Sequence, residues 1–123
     1  MSTNRTLRFQ QLRDNGYQRV ILTANNRFTA AYHNVDEPKK TEIEEEYTGT
    51  WGFLRNENGK DFIELKIEGG ELTTYKNKDT NGTTVKVKPS LQVLTIDGGL
   101  DNPSVANFAY GFSNGKFVNM QLY

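Results

Sequence analysis

The chain has 123 residues, no cysteine, one histidine and a formal net charge of zero at neutral pH. That length fits one domain, residues 1–123, with enough interior to fold without staples. The composition excludes disulfides, thiolate chemistry and a zinc site built on nitrogen and sulfur ligands, and no net field draws the molecule to nucleic acid or to a membrane surface.

The first segment, "TLRFQQLRDNGY", places Leu7, Phe9 and Leu12 among helix formers, with Thr6 as an N-cap and Gly16 where a left-handed C-terminal residue belongs. It predicts one short N-terminal helix over residues 6–14. A strand reading survives, because Leu7 and Phe9 also alternate. "MSTNRTLRF" has no apolar core like that of a signal peptide, and no apolar run approaches the ~20 residues of a membrane span. The expectation is a cytoplasmic protein with no membrane partner.

From residue 17 the chain reads as strands. They are "YQRVILT" (17–23), "RFTAAYH" (27–33), "TEIEEEYTGTWGFL" (41–54), "DFIELKI" (61–67), "ELTTYK" (71–76), "TTVKVK" (83–88), "LQVLTI" (91–96), "ANFAYGF" (106–112) and "KFVNMQLY" (116–123). Asn15-Gly16, Asn58-Gly59, Asn81-Gly82 and Asn114-Gly115 punctuate them, with Gly69-Gly70 and Gly98-Gly99 as further breaks. Asn and Gly tolerate the positive φ that tight hairpins need. The predicted fold is all-β and mainly antiparallel: a small barrel of about eight to ten strands, or a closed sandwich, with the helix capping an open end.

In residues 41–54, Ile43, Glu45, Tyr47, Gly49 and Trp51 share one face, and Glu42, Glu44, Glu46 and Thr48 the other. Trp51 is the only tryptophan and lies between Gly49 and Gly52, as expected of a large side chain closing a strongly bent sheet. Gly49 leaves room beside the indole, and Gly52 precedes a bulge or corner near Phe53. This region, "LTANNRFTAAYHN … EEEYTGTWGFLRNENGKDFIELKI", resembles the small bacterial lipocalin-like (calycin-type) domains. The likeness covers roughly residues 20–67 and rests on Phe28, Gly49, Thr50 and Trp51. It implies an up-and-down barrel with a cup-shaped interior.

A carboxylate on the Trp51 face is costly unless paired. Glu45 therefore needs an interior arginine, Arg19 or Arg27, or a cationic or hydroxyl-bearing ligand; alternatively these charges protect an edge strand from aggregation. The candidate ligand site comprises Trp51, Tyr47, Phe28, Tyr32, Arg27 and Glu45, with aromatics for enclosure and the charged pair for orientation. His33, beside Tyr32 and an acidic loop, is the one side chain whose ordinary pKa lies near neutrality. No phosphate-binding loop or nucleophile elbow is present, and Asp97–Asn102 has calcium-like spacing but no later bidentate Glu. No catalytic residue, metal ligand or cofactor is assigned.

Charge is segregated. Residues 1–34 carry five arginines and one acid, and residues 35–71 eleven acids against five bases. Three functions are in contention. The first is a non-enzymatic small-molecule-binding module. The second is a protein-interaction or inhibitor module, of the small kind that phages encode, acting through the acidic stretch 36–46. The third is a barrel-type cyclase or isomerase using His33 or Glu45. Nucleic acid is disfavoured by the zero net charge, although Tyr110, Phe112, Phe117 and Tyr123 adjoin Lys86, Lys88 and Lys116 in sequence order. A strand reaching the terminus suggests an edge, and hence a homodimer through the C-terminal strand.

Overall fold

The computed structural model describes residues 5–36, 38, 40–76, 82–108 and 119–122. These residues form nine strands: β1 (Leu7–Arg13), β2 (Gly16–Leu22), β3 (Arg27–Asp36), β4 (Thr41–Glu57), β5 (Lys60–Lys76), β6 (Thr83–Val87), β7 (Ser90–Asp97), β8 (Val105–Phe108) and β9 (Asn119–Leu122). All pairings are antiparallel. β1 to β5 pair in chain order; β7, β8 and β9 follow, and β9 returns to β1 through Phe9–Leu122 and Gln10–Gln121. The result is a closed eight-stranded up-and-down barrel with β6 as an additional strand. β6 and β7 both lie along the long β5, against Gly70–Thr74 and Lys60–Ile67 respectively. Pro89, which has no N–H to give a ladder, lies at the interruption between them.

No helix occurs among the described residues, so none is long and apolar enough to cross a membrane. The helix predicted over residues 6–14 is β1. Its register with β2 runs residue by residue from Leu7–Leu22 to Arg13–Gly16, with Asp14 and Asn15 as the turn. Leu7 and Phe9 are buried, while Leu12, which a helix would have turned towards them, is 68% exposed. Pairing on both sides, with β2 and β9, overrides the modest local preference of Gln, Leu and Arg for a helix.

Gly69-Gly70 is likewise no turn. β5 runs through it as one strand, and Glu68 is the extra residue of a bulge where the β4 register shifts between Thr48 and Gly49. The C-terminal strand is not an edge: β9 has β8 on one side and β1 on the other, which removes the physical basis for a dimer through it. The Asn114-Gly115 turn lies outside the described residues.

Alternation along each strand sends one set of side chains inward. Phe9, Val20, Ala30 and Tyr47 form one inner row through their cross-strand pairing, and Leu7, Leu22 and Phe28 continue towards the next. One end of the barrel is closed by Trp51, which is 3% exposed. Its indole Nε1–H donates to the Thr23 carbonyl at 2.9 Å, and its backbone N–H donates to the Asn26 carbonyl at 2.9 Å. The Asn26 amide returns a bond to the Trp51 carbonyl at 3.2 Å. The β2–β3 turn is thereby fastened to β4. At the same end the buried Asp61 carboxylate accepts from the Asn56 side chain and the Leu100 backbone N–H, both at 2.8 Å, drawing the β7–β8 loop onto the barrel.

Candidate functional site

Polar groups gather on the inner face away from the Trp51 end. Cross-strand register aligns Gln11, Gln18, Tyr32, Glu45, Leu72 and Val85 in one row from β1 to β6. Beyond it, Asn34, Ile43, Thr74 and Thr83 form the next row. Leu72, Thr74, Lys76, Thr83 and Val85 line a hollow of about 260 Å³. Residues paired across an antiparallel ladder share a face, so this hollow continues the surface from which Glu45 projects.

Glu45 is 1% exposed and accepts a hydrogen bond from the Tyr47 phenol. Gln18 is 2% exposed, and its Oε1 has no hydrogen-bond partner among the described residues. The Arg13 guanidinium lies 5.8 Å from the centre of the Tyr32 ring. Burial first, and then the hydrogen bond and negative charge of Glu45, push the Tyr47 phenol well above its usual pKa. The folded chain therefore holds this proton where the unfolded chain would release it. Its contribution to stability is complete below a pH of about 10 and is lost as pH rises beyond that. A tyrosinate absorbance titration should show a component that stays un-ionised until the barrel unfolds, and Tyr47→Phe should reduce that late component by one tyrosine.

Five of the six residues assigned from sequence lie on the inner face and are buried: Phe28, Tyr32, Glu45, Tyr47 and Trp51. The four aromatics belong to one core cluster but are spread along the barrel rather than gathered around Glu45. Tyr32 and Glu45 are directly paired, with Tyr47 next along β4, whereas Phe28 pairs with Gly49 towards the closed end and Trp51 lies beyond. Arg27 faces outward, with Nη1 2.8 Å from Glu68 Oε1 and both side chains about half exposed. It is one residue out of phase with Phe28, so it cannot orient a ligand beside Glu45. Arg19 is also on the outer face, with its guanidinium 4.9 Å from the Tyr17 ring. The partner expected for Glu45 from either arginine is therefore replaced, in part, by Tyr47.

Gln18 and the five hollow-lining residues were not singled out from the sequence. Gln18 had a usable signal, because Val20 and Leu22 on the same phase of "YQRVIL" are core residues. The hollow had none, since it depends on β6 pairing with the far half of β5.

Tyr32 and His33 point to opposite faces, so they cannot act as an acid–base pair across one site. Glu42, Glu44 and Glu46 lie on the outer phase of β4. At Asp97–Asn102 no three His, Asp or Glu groups among the described residues converge as metal ligands would. The aromatic set considered for nucleic acid, Tyr110, Phe112, Phe117 and Tyr123, lies outside the described residues, as does Lys116.

Comparison with protein-family models, curated proteins and solved structures returned no match to the chain. The likeness to lipocalin-like domains is thus one of architecture, a closed antiparallel barrel.

Proposed function

We propose that the protein is a non-enzymatic small-molecule-binding barrel, lipocalin-like in use as well as in outline. Its ligand is small and carries an amine or hydroxyl group. The observation that carries this reading is a carboxylate, Glu45, held 1% exposed on the inner face and paired in register with Leu72 of the hollow. Burying a carboxylate is costly, and the Gln18 Oε1 on the same row adds a second buried acceptor. The two acceptors flank Tyr32 on that row and suit a ligand that carries hydrogen-bond donors. Leu72 and Val85 supply apolar contact, and Thr74, Thr83 and Lys76 supply polar contact towards the rim.

Native mass spectrometry of protein purified from its source should show a bound small molecule. The ligand released on denaturation and added back at about 100 times its Kd should stabilise the barrel by about 2.7 kcal/mol. Glu45→Gln, which keeps the shape and removes the charge, should weaken binding at least tenfold. A clean apo mass over repeated preparations would overturn the reading.

A further inference from the structure

We propose that His33, Glu42 and Glu44 form a divalent transition-metal site on the outer face of the barrel, separate from the inner face. The β3–β4 register sets His33 opposite Glu44 and Val35 opposite Glu42, so the imidazole and both carboxylates project from the same side of two adjacent strands. The three donor atoms all lie within 4.8 Å of one another, and His33 Nε2 is 2.6 Å from Glu42 Oε1. Mixed donors of this kind are one nitrogen and two oxygens, which is more than an acidic patch: the imidazole selects against magnesium and calcium, which take oxygen ligands.

The backbone beneath the site is rigid. β3 is paired on both sides, with β2 and β4, and β4 with β3 and β5, so the ligand spacing is set by three ladders. The His33 ring is further braced by the Tyr17 ring, 5.7 Å away and tilted by 34°. Tyr17 in turn stacks against Arg19. Among the described residues no lysine or arginine comes within ion-pair distance of Glu42 or Glu44. With a neutral imidazole the set carries two negative charges on one strand face, two residues apart, and a dication neutralises both. Three protein donors on one side leave coordination positions open to water or to a group from another molecule. Zn²⁺ and Mn²⁺ are the probes that match this donor set.

The test is isothermal titration of untagged, metal-free protein with zinc chloride and, separately, manganese chloride. One equivalent should bind. His33→Ala and Glu44→Gln should each weaken binding at least about tenfold, since even outer-shell partners of metal ligands cost 10- to 100-fold. Glu44 is exposed and the His33 side chain 25% exposed, and circular dichroism of each variant confirms the fold. Glu45→Gln, on the opposite face, should leave metal binding unchanged, which separates this site from the inner one. In the manganese titration, paramagnetic broadening should centre on the amides of residues 33, 42 and 44. No saturable binding of either ion, or binding indifferent to both His33→Ala and Glu44→Gln, would overturn the site and leave His33–Glu42 as a simple ion pair.

Discussion

Trp51→Ala is expected to cost about 3–5 kcal/mol of stability, the range for truncating a buried large aromatic. The side chain is 3% exposed, so nearly its whole apolar surface returns to water on unfolding. Its loss also deprives the Thr23 carbonyl of its indole donor and loosens the β2–β3 turn from β4. For a domain of this length the loss corresponds to a fall of roughly 10–20 °C in melting temperature. Urea unfolding followed by circular dichroism measures it without relying on the missing fluorophore. A loss below about 1 kcal/mol would mean that the indole does not close the barrel in solution. Trp51→Phe keeps the ring volume in part but not the donor, and should fall between wild type and alanine.

Gly49→Ala is expected to destabilise the barrel and Gly52→Ala is not. A Cβ built on Gly49 would lie 1.9 Å from the Lys66 carbonyl oxygen and 2.8 Å from Phe28 Cε1. The first of these atoms is backbone in the paired strand, at the bulge, and cannot rotate away. The strands must separate, and the cost should reach the upper end of the ~1–3 kcal/mol typical of overpacking, or exceed it. A Cβ on Gly52 meets nothing within 4 Å. There alanine restricts the unfolded chain without a clash and should be neutral or stabilising by up to about 1 kcal/mol. Parallel denaturation of the two variants gives the answer. Equal effects would place the close approach of β4 and β5 elsewhere.

These two glycines show what period-two reading reveals and where it stops. Alternation in residues 41–54 puts Glu45, Tyr47, Gly49 and Trp51 on one face and Glu42, Glu44 and Glu46 on the other, and burial follows that division. The Asn58-Gly59 hairpin was also legible, because both residues take positive φ, 53° and 78°. By contrast, residues 6–14 satisfied two periods at once. Only pairing with β2 and with β9, the latter more than a hundred residues away, chose the strand. Gly69-Gly70 looked like a turn because glycine serves turns and bulges alike, and local sequence cannot separate the two. Arg27 was a different failure. It was assigned inward for its charge although its neighbour Phe28 already occupied the inner phase.

The outer His33–Glu42–Glu44 set illustrates a third case. In sequence order Glu42 and Glu44 belong to the acidic stretch 36–46, and His33 is the last residue of the segment 27–33. Their meeting follows from the β3–β4 register, which no short window contains.

All of this rests on the sheet closing on itself, and closure is made where β9 meets β1. The direct measurement is the set of backbone proton contacts in solution between Phe9 or Gln10 and Gln121 or Leu122. Paired residues there have Cα atoms about 4.5–5.5 Å apart in an antiparallel ladder, near enough for such contacts to be strong. Closure predicts these contacts together with slow exchange of the β1 amides that face β9. Their absence, with β1 exchanging as a free edge, would contradict the barrel and the inner site with it.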